Sequence, residues 1–449
     1  MCSRGSCGRR TASSISSSRR NRNRPRASSP PLFRIAAKAR RYDPARWTED
    51  RRFRDYLAAI GELAARDLPS MPWERLVRVP RQALVLVGPV ADLRVDYLPR
   101  TGLALLRLLA VVKLLGRGRL FGDLLFGART RTSDANRALE RLAEHARRTG
   151  ALDADPPPAE FAAELREFLA EYGHRETASP ILVTPPTWAD APETVLGLIR
   201  VLAVEPPAQK EGGDALERLL RHPLLRSAGR RARIRRWVEA ARAGIAFRED
   251  SHFYFTMPQP VLRRSLVEIG RRLRDAGVLV DPEDVFHLRL EELESIEEVT
   301  TLAAADAERL REAVRARAAK REELSGVRLI DPALVFPARE TGDALVAGAP
   351  ASGGVATGPV KVIREPAGFG ELSAGDVLVC PYTNPSWTPL FQQAAAVVVD
   401  TGGAGSHAAI VAREYGIPAV MGTGKGTSVL KDGQVVTVNG DSGTVTSAT

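Results

Sequence analysis

The stretch TGGAGSHAAIVAREYGIP, residues 401–418, places one of the six histidines of the chain behind three glycines and ahead of a short apolar pattern. The preceding run AAVVVD (395–400) is β-branched and predicts a strand, so the glycines form a turn between a strand and a helix. Ser406 suits the N-cap position of that helix, and His407 then falls in its first turn.

A histidine in the first turn of a helix meets free backbone N–H groups and the positive end of the helix dipole, which favour a bound anion. The same field disfavours imidazolium, so the ring is expected to stay neutral and nucleophilic. We therefore predict that His407 is a phosphohistidine carrier. The residues expected to support its phosphate are Thr401, Gly402, Gly403, Ser406 and Arg413.

Two other interpretations of this motif fit less well. A histidine that caps a buried turn would leave the three glycines and the serine cap unexplained. Metal ligation is not expected, because no second His or Cys stands nearby. Arg413 is equally compatible with an ordinary solvated helix face.

The sequence around this motif changes texture at about residue 340, where glycine becomes frequent and β-branched runs replace helical patterns. Further strands are predicted at GPVKVI (358–363), DVLVCP (376–381) and QVVTVNG (434–440). The chain is therefore expected to end in a compact α/β domain of about one hundred residues. The Gly-, Pro- and Ala-rich segment at 335–350 is the predicted linker.

Residues 42–334 carry mostly helical patterns, for example in 135–148, 158–173 and 230–250, with apolar residues at three- and four-residue spacing. The run LALLRLLAVVKLL (103–115) is too short to span a bilayer and predicts an amphipathic core helix. One short strand is predicted at QALVLVGPVADLRV (82–95). The fold class is thus a mostly α-helical domain followed by an α/β domain.

The N-terminal tail, residues 1–41, contains twelve of the 65 Lys and Arg residues and none of the 54 Asp and Glu residues. The formal charge of +11 therefore belongs to the tail, and nucleic-acid binding by the rest of the chain is not expected. The tail is rich in Ser, Arg and Pro and is expected to be disordered. A transit peptide, a nucleic-acid arm, an extension without function and a misplaced start codon all remain open.

Cys2 and Cys7 lie in the tail and Cys380 lies in the body, so no disulfide framework is expected. The sequence shows no signal peptide and no transmembrane pattern. A reducing cytoplasm fits these observations, and no membrane partner is expected.

The segment TGGAGSHAAIVAREYGIPAVMGTG (401–424) closely resembles the signature of the phosphohistidine swivelling domain of phosphoenolpyruvate-utilising enzymes. This family includes pyruvate phosphate dikinase, phosphoenolpyruvate synthase and rifampicin phosphotransferase. Residues 351–363, 376–391 and 432–445 extend the resemblance. It implies a β/β/α swivelling domain over 351–449, a swivel at 335–350, and transport of a phosphoryl group on His407 between two sites.

Within this family, rifampicin phosphotransferase-like proteins end with the swivelling domain and place a helical substrate domain before it. Residues 120–143, 167–199 and 247–293 resemble that domain more loosely. The resemblance implies a dikinase-type phosphotransferase in which residues 42–334 bind a small-molecule acceptor. ATP would load His407 with release of AMP and phosphate, and an acceptor hydroxyl would then receive the phosphoryl group.

The chain departs from the family where an ATP-grasp domain would precede the helical domain. GTGKGTS (422–428) lacks the spacing and helix of a P-loop and is expected to be a glycine-rich turn. We therefore expect this chain to bind no cofactor itself, with ATP and magnesium held by a separate ATP-grasp partner. A non-catalytic ligand-binding remnant and an N-terminally truncated gene model of a complete enzyme remain alternatives.

Several residues of the helical domain are candidates for the acceptor site. The ring and guanidinium of the EYGHRE segment could bind a hydroxylated or anionic substrate, and nearby aromatic residues could line an apolar pocket. Each is also compatible with ordinary packing. The candidates are His174, Arg175, Trp237, Phe253 and Tyr254.

Overall fold

The computed structural model describes residues 31–125, 129–175, 183–204, 215–324, 342–403 and 406–448. Residues 31–324 are helical and residues 342–448 are built on a sheet; we call them the helical region and the sheet region. This confirms the predicted order of a mostly α-helical part and an α/β part. The helices of the helical region are α1 Pro31–Arg41, α2 Arg51–Ala64, α3 Trp73–Leu76, α4 Val79–Leu114, α5 Phe121–Leu125, α6 Arg131–Thr149, α7 Ala159–Tyr172, α8 Pro192–Val204, α9 Ala215–Leu220, α10 Ala228–Phe255, α11 Gln259–Asp275, α12 Leu290–Glu294 and α13 Ala304–Glu323.

Helix α4 corrects the prediction of a strand at 82–95, because that segment lies inside one continuous helix with Pro89 and Pro99 in its interior. The same face of α4 is buried before and after the two interior prolines, and it packs against α2, α10 and α11. This packing outweighs the backbone hydrogen bond that each proline removes. The predicted core helix at 103–115 is the second half of the same element.

Helix α1 corrects the predicted extent of the disordered tail. Residues 1–30 lie outside the described residues, but Pro31–Arg41 is helical and packs on α4. Lys38 Nζ lies 2.8 Å from Asp96 Oδ1 on α4, so a basic residue of the predicted tail is paired with the helical region.

The sheet region contains one eight-stranded sheet with the order β1-β8-β7-β3-β4-β5-β6-β2. Its centre, β3 to β6, is parallel, and β2 and β7 pair antiparallel at its two sides. The strands are β1 Val346–Ala347, β2 Ala349–Ser352, β3 Val355–Val362, β4 Val377–Cys380, β5 Ala396–Val399, β6 Ala419–Met421, β7 Val435–Asn439 and β8 Thr444–Ser447. In the described part of this region, the α-helices between the strands are α14 Thr388–Gln393, α15 His407–Tyr415 and α16 Gly426–Val429.

The strands predicted from β-branched runs are present as β3, β4, β5 and β7. The linker prediction differs from the structure. Residues 335–341 lie outside the described residues, whereas β1 and the start of β2 fall within 335–350 and belong to the sheet. The GTGKGTS segment is a glycine turn, as expected, but it leads into the one-turn helix α16.

The two regions share an apolar core. Helix α14 and the 3-10 turn Pro366–Glu371 pack against α8, and α15 packs against α5. Large buried side chains from the sheet region, such as Phe369 and Trp387, belong to the same cluster as Leu198 and Ile199 of α8. The sheet region is therefore docked on the helical region.

Polar contacts surround this core. Gln392 of α14 donates from Nε2 to Glu140 Oε1 at 2.7 Å and to the Tyr415 hydroxyl at 2.9 Å. Asn136 of α6 donates to the same hydroxyl at 3.4 Å. These bonds join α6 to α14 and α15, and so they fix which face of the sheet region meets the helical region.

Candidate functional site

The turn between β5 and α15 carries the predicted histidine. Ser406 is the N-cap, and its hydroxyl accepts a hydrogen bond from the Ala409 N–H at 3.3 Å. His407 is the first residue of α15, and Gly416 ends the helix in the left-handed conformation. The strand, glycine turn, serine cap and histidine are therefore arranged as the sequence predicts.

The His407 ring lies where the sheet region meets the helical region. Its Nδ1 is 3.4 Å from Oε2 of Glu249 on α10. Its Nε2 is 3.4 Å from the hydroxyl of Thr388 at the start of α14. Both members of the first contact are largely buried, with side chains 17% and 13% exposed. One nitrogen thus faces the helical region and the other faces the sheet region's own helix.

Glu249 is ionised in this environment. Burial alone would raise the pKa of its carboxyl, but the interaction with His407 outweighs burial and holds the pKa at about 2. The Arg248 guanidinium, 3.8 Å away, acts in the same direction. The site therefore presents a negative charge to Nδ1 at neutral pH, at a distance of 3.4 Å.

The next residue on α10, Asp250, behaves in the opposite way. Burial raises the pKa of its carboxyl to about 6, despite a 2.6 Å hydrogen bond from the Arg131 N–H at the start of α6. The neighbouring Glu249 charge adds to this increase. The two adjacent carboxyls are thus held in different protonation states over a wide pH range.

A buried carboxylate fixes the strand end behind the histidine turn. Asp400, 2% exposed, accepts hydrogen bonds from the Thr423 hydroxyl at 3.0 Å, the Thr427 N–H at 3.1 Å and the Thr427 hydroxyl at 2.5 Å. The GTGKGTS turn is therefore tied to the end of β5. These bonds hold the turn against the strand end that precedes Thr401.

The residues predicted to support a phosphate occupy different positions. Gly402 has φ of +91°, and a Cβ there would lie 3.0 Å from Ser406, so this turn requires glycine. Gly403 has no positive φ and open space around its Cβ position, so the stricter requirement for glycine falls on the first member of the pair. The Thr401 hydroxyl donates to the Pro381 carbonyl at 3.0 Å and joins the turn to the end of β4.

Arg413 lies six residues after His407, about 240° further around α15. Its side chain extends across Gly122 of α5, where a Cβ would lie 2.8 Å from Arg413 Cδ. Burial lowers the pKa of this guanidinium. The structure thus places Arg413 at the contact with the helical region, on a different side of α15 from the histidine.

Four of the five residues predicted for the acceptor site lie close together in the structure. His174 and Phe253 meet, with ring centroids 4.3 Å apart and Nε2 3.1 Å from the Phe253 carbonyl oxygen. Tyr254 packs against Phe253, with ring centroids 5.2 Å apart, and also against Trp47 and Phe53. These contacts are those of core packing.

Arg175 directly follows His174, whereas Trp237 lies apart from the other four residues. The Arg175 guanidinium is buried 5.2 Å from the centre of the Trp188 ring. Trp237 is sixteen residues before Phe253 on α10, about 24 Å along the helix axis, and it contacts Arg107 of α4. Within the described residues, Trp237 therefore does not join the group formed by the other four.

Sequence reasoning missed Glu249 and Thr388. Glu249 lies in a helical pattern 158 positions before the histidine, and a single glutamate among many helix charges carries no local signal. Thr388 lies within residues 376–391, which extend the family resemblance, and it follows the strand predicted at 376–381; that resemblance is the signal that could have identified it. Within the described ranges, no three His, Cys, Asp or Glu side chains converge on a point that could hold a metal ion.

Comparison with protein families identifies two parts of the chain. Residues 372–443 match the mobile domain of phosphoenolpyruvate-utilising enzymes. Residues 99–249 match the fourth domain of rifampicin phosphotransferase. The resemblance predicted from the sequence is confirmed for both regions. No helix in the described part of the chain has the length and apolar content of a membrane span.

Curated relatives support the same assignment. The uncharacterized phosphotransferase YvkC of Bacillus subtilis is 36% identical over 304 residues, which cover 64% of this chain and 36% of the relative. A rifampicin phosphotransferase of Streptomyces sviceus is 30% identical over 312 residues, covering 64% and 34%. A phosphoenolpyruvate synthase of Aeropyrum pernix is 54% identical over 107 residues, covering 23% and 13%. The chain spans about a third of the length of the first two relatives.

One solved structure, an NMR structure of an Enzyme I protein, covers 70% of this chain and 77% of its own length at 16% identity. Its TM-score of 0.18 is too low for the likeness to bear on the fold.

Proposed function

The chain carries the mobile domain of the phosphoenolpyruvate-utilising enzymes, and we propose that it is a phosphoryl carrier. In this proposal His407 takes up a phosphoryl group and transfers it to an acceptor hydroxyl. The observation that carries the proposal is the position of His407: it begins a helix after a glycine turn and faces a buried, ionised glutamate of a second region. An anion-binding helix end and a facing carboxylate suit a ring that alternates between free and phosphorylated forms.

Glu249 sets the reactive nitrogen in this proposal. Its carboxylate accepts a hydrogen bond from the Nδ1–H group, 3.4 Å away, so the free lone pair of the ring is on Nε2. In loading, Nε2 bonds to the β-phosphorus of ATP as the P–O bond to AMP breaks, and water then removes the γ-phosphoryl group as phosphate, so that one phosphoryl group stays on Nε2. In unloading, the acceptor oxygen bonds to phosphorus, the N–P bond breaks, the ring recovers its lone pair and the hydroxyl proton leaves to water. The Thr388 hydroxyl donates to Nε2 when the ring is free.

The donor is proposed to be ATP with magnesium, held by an ATP-grasp domain on another chain. Such a site needs lysine, arginine and magnesium around the phosphates. The acceptor is proposed to be a small molecule bound by the helical region beside Glu249. By its name, rifampicin phosphotransferase acts on rifampicin, and this supports a hydroxylated small molecule as the class of acceptor here.

A labelling experiment tests the proposal. The full chain is incubated with magnesium and ATP labelled in its β- and γ-phosphates, with and without the amino-terminal ATP-grasp domain of a rifampicin phosphotransferase. We expect an acid-labile, base-stable label only when that domain is present. His407→Ala should abolish the label.

His145 provides a matched control, because its Nδ1 lies 2.8 Å from a glutamate, Glu164 Oε2. His145→Ala should leave the label unchanged. Labelling that survives His407→Ala would refute the carrier assignment. Labelling without the added domain would refute the need for a separate nucleotide site.

A further inference from the structure

The near-zero summed charge of residues 42–449 conceals two strongly basic segments. Residues 215–238, which contain α9 and the start of α10, carry eight arginines and one acidic residue, Glu217. Residues 107–117, at the end of α4, carry three basic residues and no acidic one. The remaining residues of 42–449 contain 42 Lys and Arg against 53 Asp and Glu. Positive charge is therefore concentrated in two short stretches, and the rest of this part of the chain is negative.

The packing of α4 against α10 brings the two segments together. The Arg107 guanidinium lies 5.6 Å from the centre of the Trp237 ring. Thirteen residues earlier on α4 and fourteen later on α10, Arg94 donates to the Ser251 hydroxyl at 2.9 Å. The helices therefore run antiparallel in one register, and the end of α4 is level with the start of α10. We call the surface formed by residues 107–117 and 223–237 the basic end.

Arginines of α10 form one exposed side of the basic end. At 100° per residue, Arg230, Arg233 and Arg236 fall within an arc of about 120°. The buried residues Ile234 and Val238 lie outside this arc and pack towards α4 and α9. The three arginines are exposed, and no salt bridge in the described ranges involves them. Their charges therefore face solvent without a partner.

The acidic residues around the basic end do not neutralise it. Glu217 pairs with Arg235 at 3.2 Å, and Asp123 pairs with Arg218 at 3.2 Å. Glu239 lies about 60° outside the arginine arc of α10. The facing part of α4 adds positive charge and contains no acidic residue. The basic end is therefore suited to a partner that carries a dense negative charge.

Exposed leucines lie among these charges. Leu114, the last residue of α4, is 84% exposed, and Leu224 is 57% exposed. The Leu224 carbonyl accepts a hydrogen bond from Arg230 Nη1 at 2.9 Å, so this leucine lies beside the arginine arc. Basic residues around exposed apolar side chains are typical of surfaces that bind anionic lipids and insert at the boundary of the acyl chains. A nucleic acid would use the arginines and leave the leucines in water.

We propose that the basic end binds the surface of a membrane that contains anionic phospholipids. The arginines contact lipid phosphates, and the two leucines enter the interfacial layer. Binding of this kind needs no membrane-spanning segment, so it is compatible with a sequence that shows none. The proposal is independent of the phosphoryl chemistry at His407.

Sedimentation with lipid vesicles tests the proposal on the full chain. Vesicles of phosphatidylcholine mixed with phosphatidylglycerol should bind the protein, and vesicles of phosphatidylcholine alone should not. The double variant Arg233→Glu/Arg236→Glu should weaken binding at least about tenfold, because two attractive charges become repulsive. Arg9→Glu/Arg10→Glu, the same change in the basic N-terminal tail, is the matched control and should weaken binding less than about threefold.

The leucines distinguish a lipid surface from other anionic partners. Leu114→Ser/Leu224→Ser should weaken vesicle binding about tenfold and leave binding to duplex DNA unchanged. Val280→Ser, at an exposed valine outside the basic end (89%), should change neither. Thermal melts of all variants should match that of the unchanged protein, because each altered side chain in the described residues is exposed.

Several results would overturn the proposal. One is the absence of binding to the anionic vesicles, and another is an equal loss for the α10 and tail variants. Vesicle binding that is unaffected by the leucine changes would also exclude insertion into lipid. An arginine variant of α10 that loses duplex DNA binding and keeps vesicle binding would assign the basic end to nucleic acid instead.

Discussion

Two histidine–glutamate pairs in the described part of the chain have different surroundings. His145 on α6 meets Glu164 of α7 at 2.8 Å, within the helical region, and the glutamate is 44% exposed. His407 meets Glu249 at 3.4 Å, across the contact of two regions, and the glutamate is 13% exposed. The pair with the shorter distance is that of His145, which neither follows a glycine turn nor lies at a helix N-terminus. Pairing alone therefore does not distinguish a candidate site; burial of the carboxylate and the position of the ring at a helix N-terminus do.

The largest effect that separates the two pairs should come from their glutamates. Glu249→Gln is expected to lower the free energy of unfolding at pH 7 by about 3 kcal/mol, because the folded pKa of about 2 lies well below the usual carboxyl value. A depressed carboxyl pKa stabilises the fold above about pH 4.5, and this is lost as the pH falls towards 2. Urea unfolding at pH 7 and pH 3 measures the difference.

Glu164→Gln is the matched change in the exposed pair and should cost less than about 1 kcal/mol. Equal losses for the two variants would mean that burial does not separate the pairs.

Asp250→Asn should sharpen the contrast between the two histidine–glutamate pairs, because it removes the carboxyl charge next to Glu249. Its raised pKa of about 6 means that the folded state holds a proton that the unfolded chain releases near pH 4. Stability contributed by this group is therefore present below about pH 4 and lost as the pH rises through 6. The variant should gain about 2 kcal/mol relative to the unchanged protein at pH 7 and nothing at pH 4, measured by urea unfolding. A gain that is independent of pH would contradict the assignment.

The glycine turn should give a smaller effect that has no counterpart around His145. Gly402→Ala is expected to cost about 1–2 kcal/mol, because its φ of +91° disfavours a side chain and the Cβ meets Ser406. Gly403→Ala, with open space around it, should cost less than about 0.5 kcal/mol. Thermal melts and the labelling assay on both variants check this, and a reversed order would show that the turn differs from the one described.

The smallest expected effect is that of the cap. Ser406→Ala removes the hydrogen bond to the Ala409 N–H and should cost about 1 kcal/mol of stability. Labelling of His407 should slow but persist, because the serine orients the helix and does not carry phosphate. Complete loss of the label with an unchanged melting temperature would assign the serine a direct chemical role.

The parts of the site that sequence could predict are those fixed by neighbouring residues. The β-branched run, the glycines and the serine cap determine the strand, turn and helix around His407 through local backbone preferences. Glu249 could not be predicted, because its position opposite the ring depends on how two distant regions pack. The mistaken strand at 82–95 has the same origin. Gly88 and Pro89 interrupt the local pattern, while burial of Val90 and Leu93 keeps the chain helical.

The apolar core shared by the two regions sets a condition on any large movement of the histidine. If the sheet region turns away from α8, side chains such as Phe369, Trp387 and Phe391 lose part of their cover, and each is worth about 1.5–3 kcal/mol when fully buried. That loss must be offset at the far end of the movement by a surface that covers the same face. The occupancies of the two positions then follow the difference between two burial free energies. A partner that loads the histidine would consequently need a surface that fits this apolar face as much as it needs a nucleotide site.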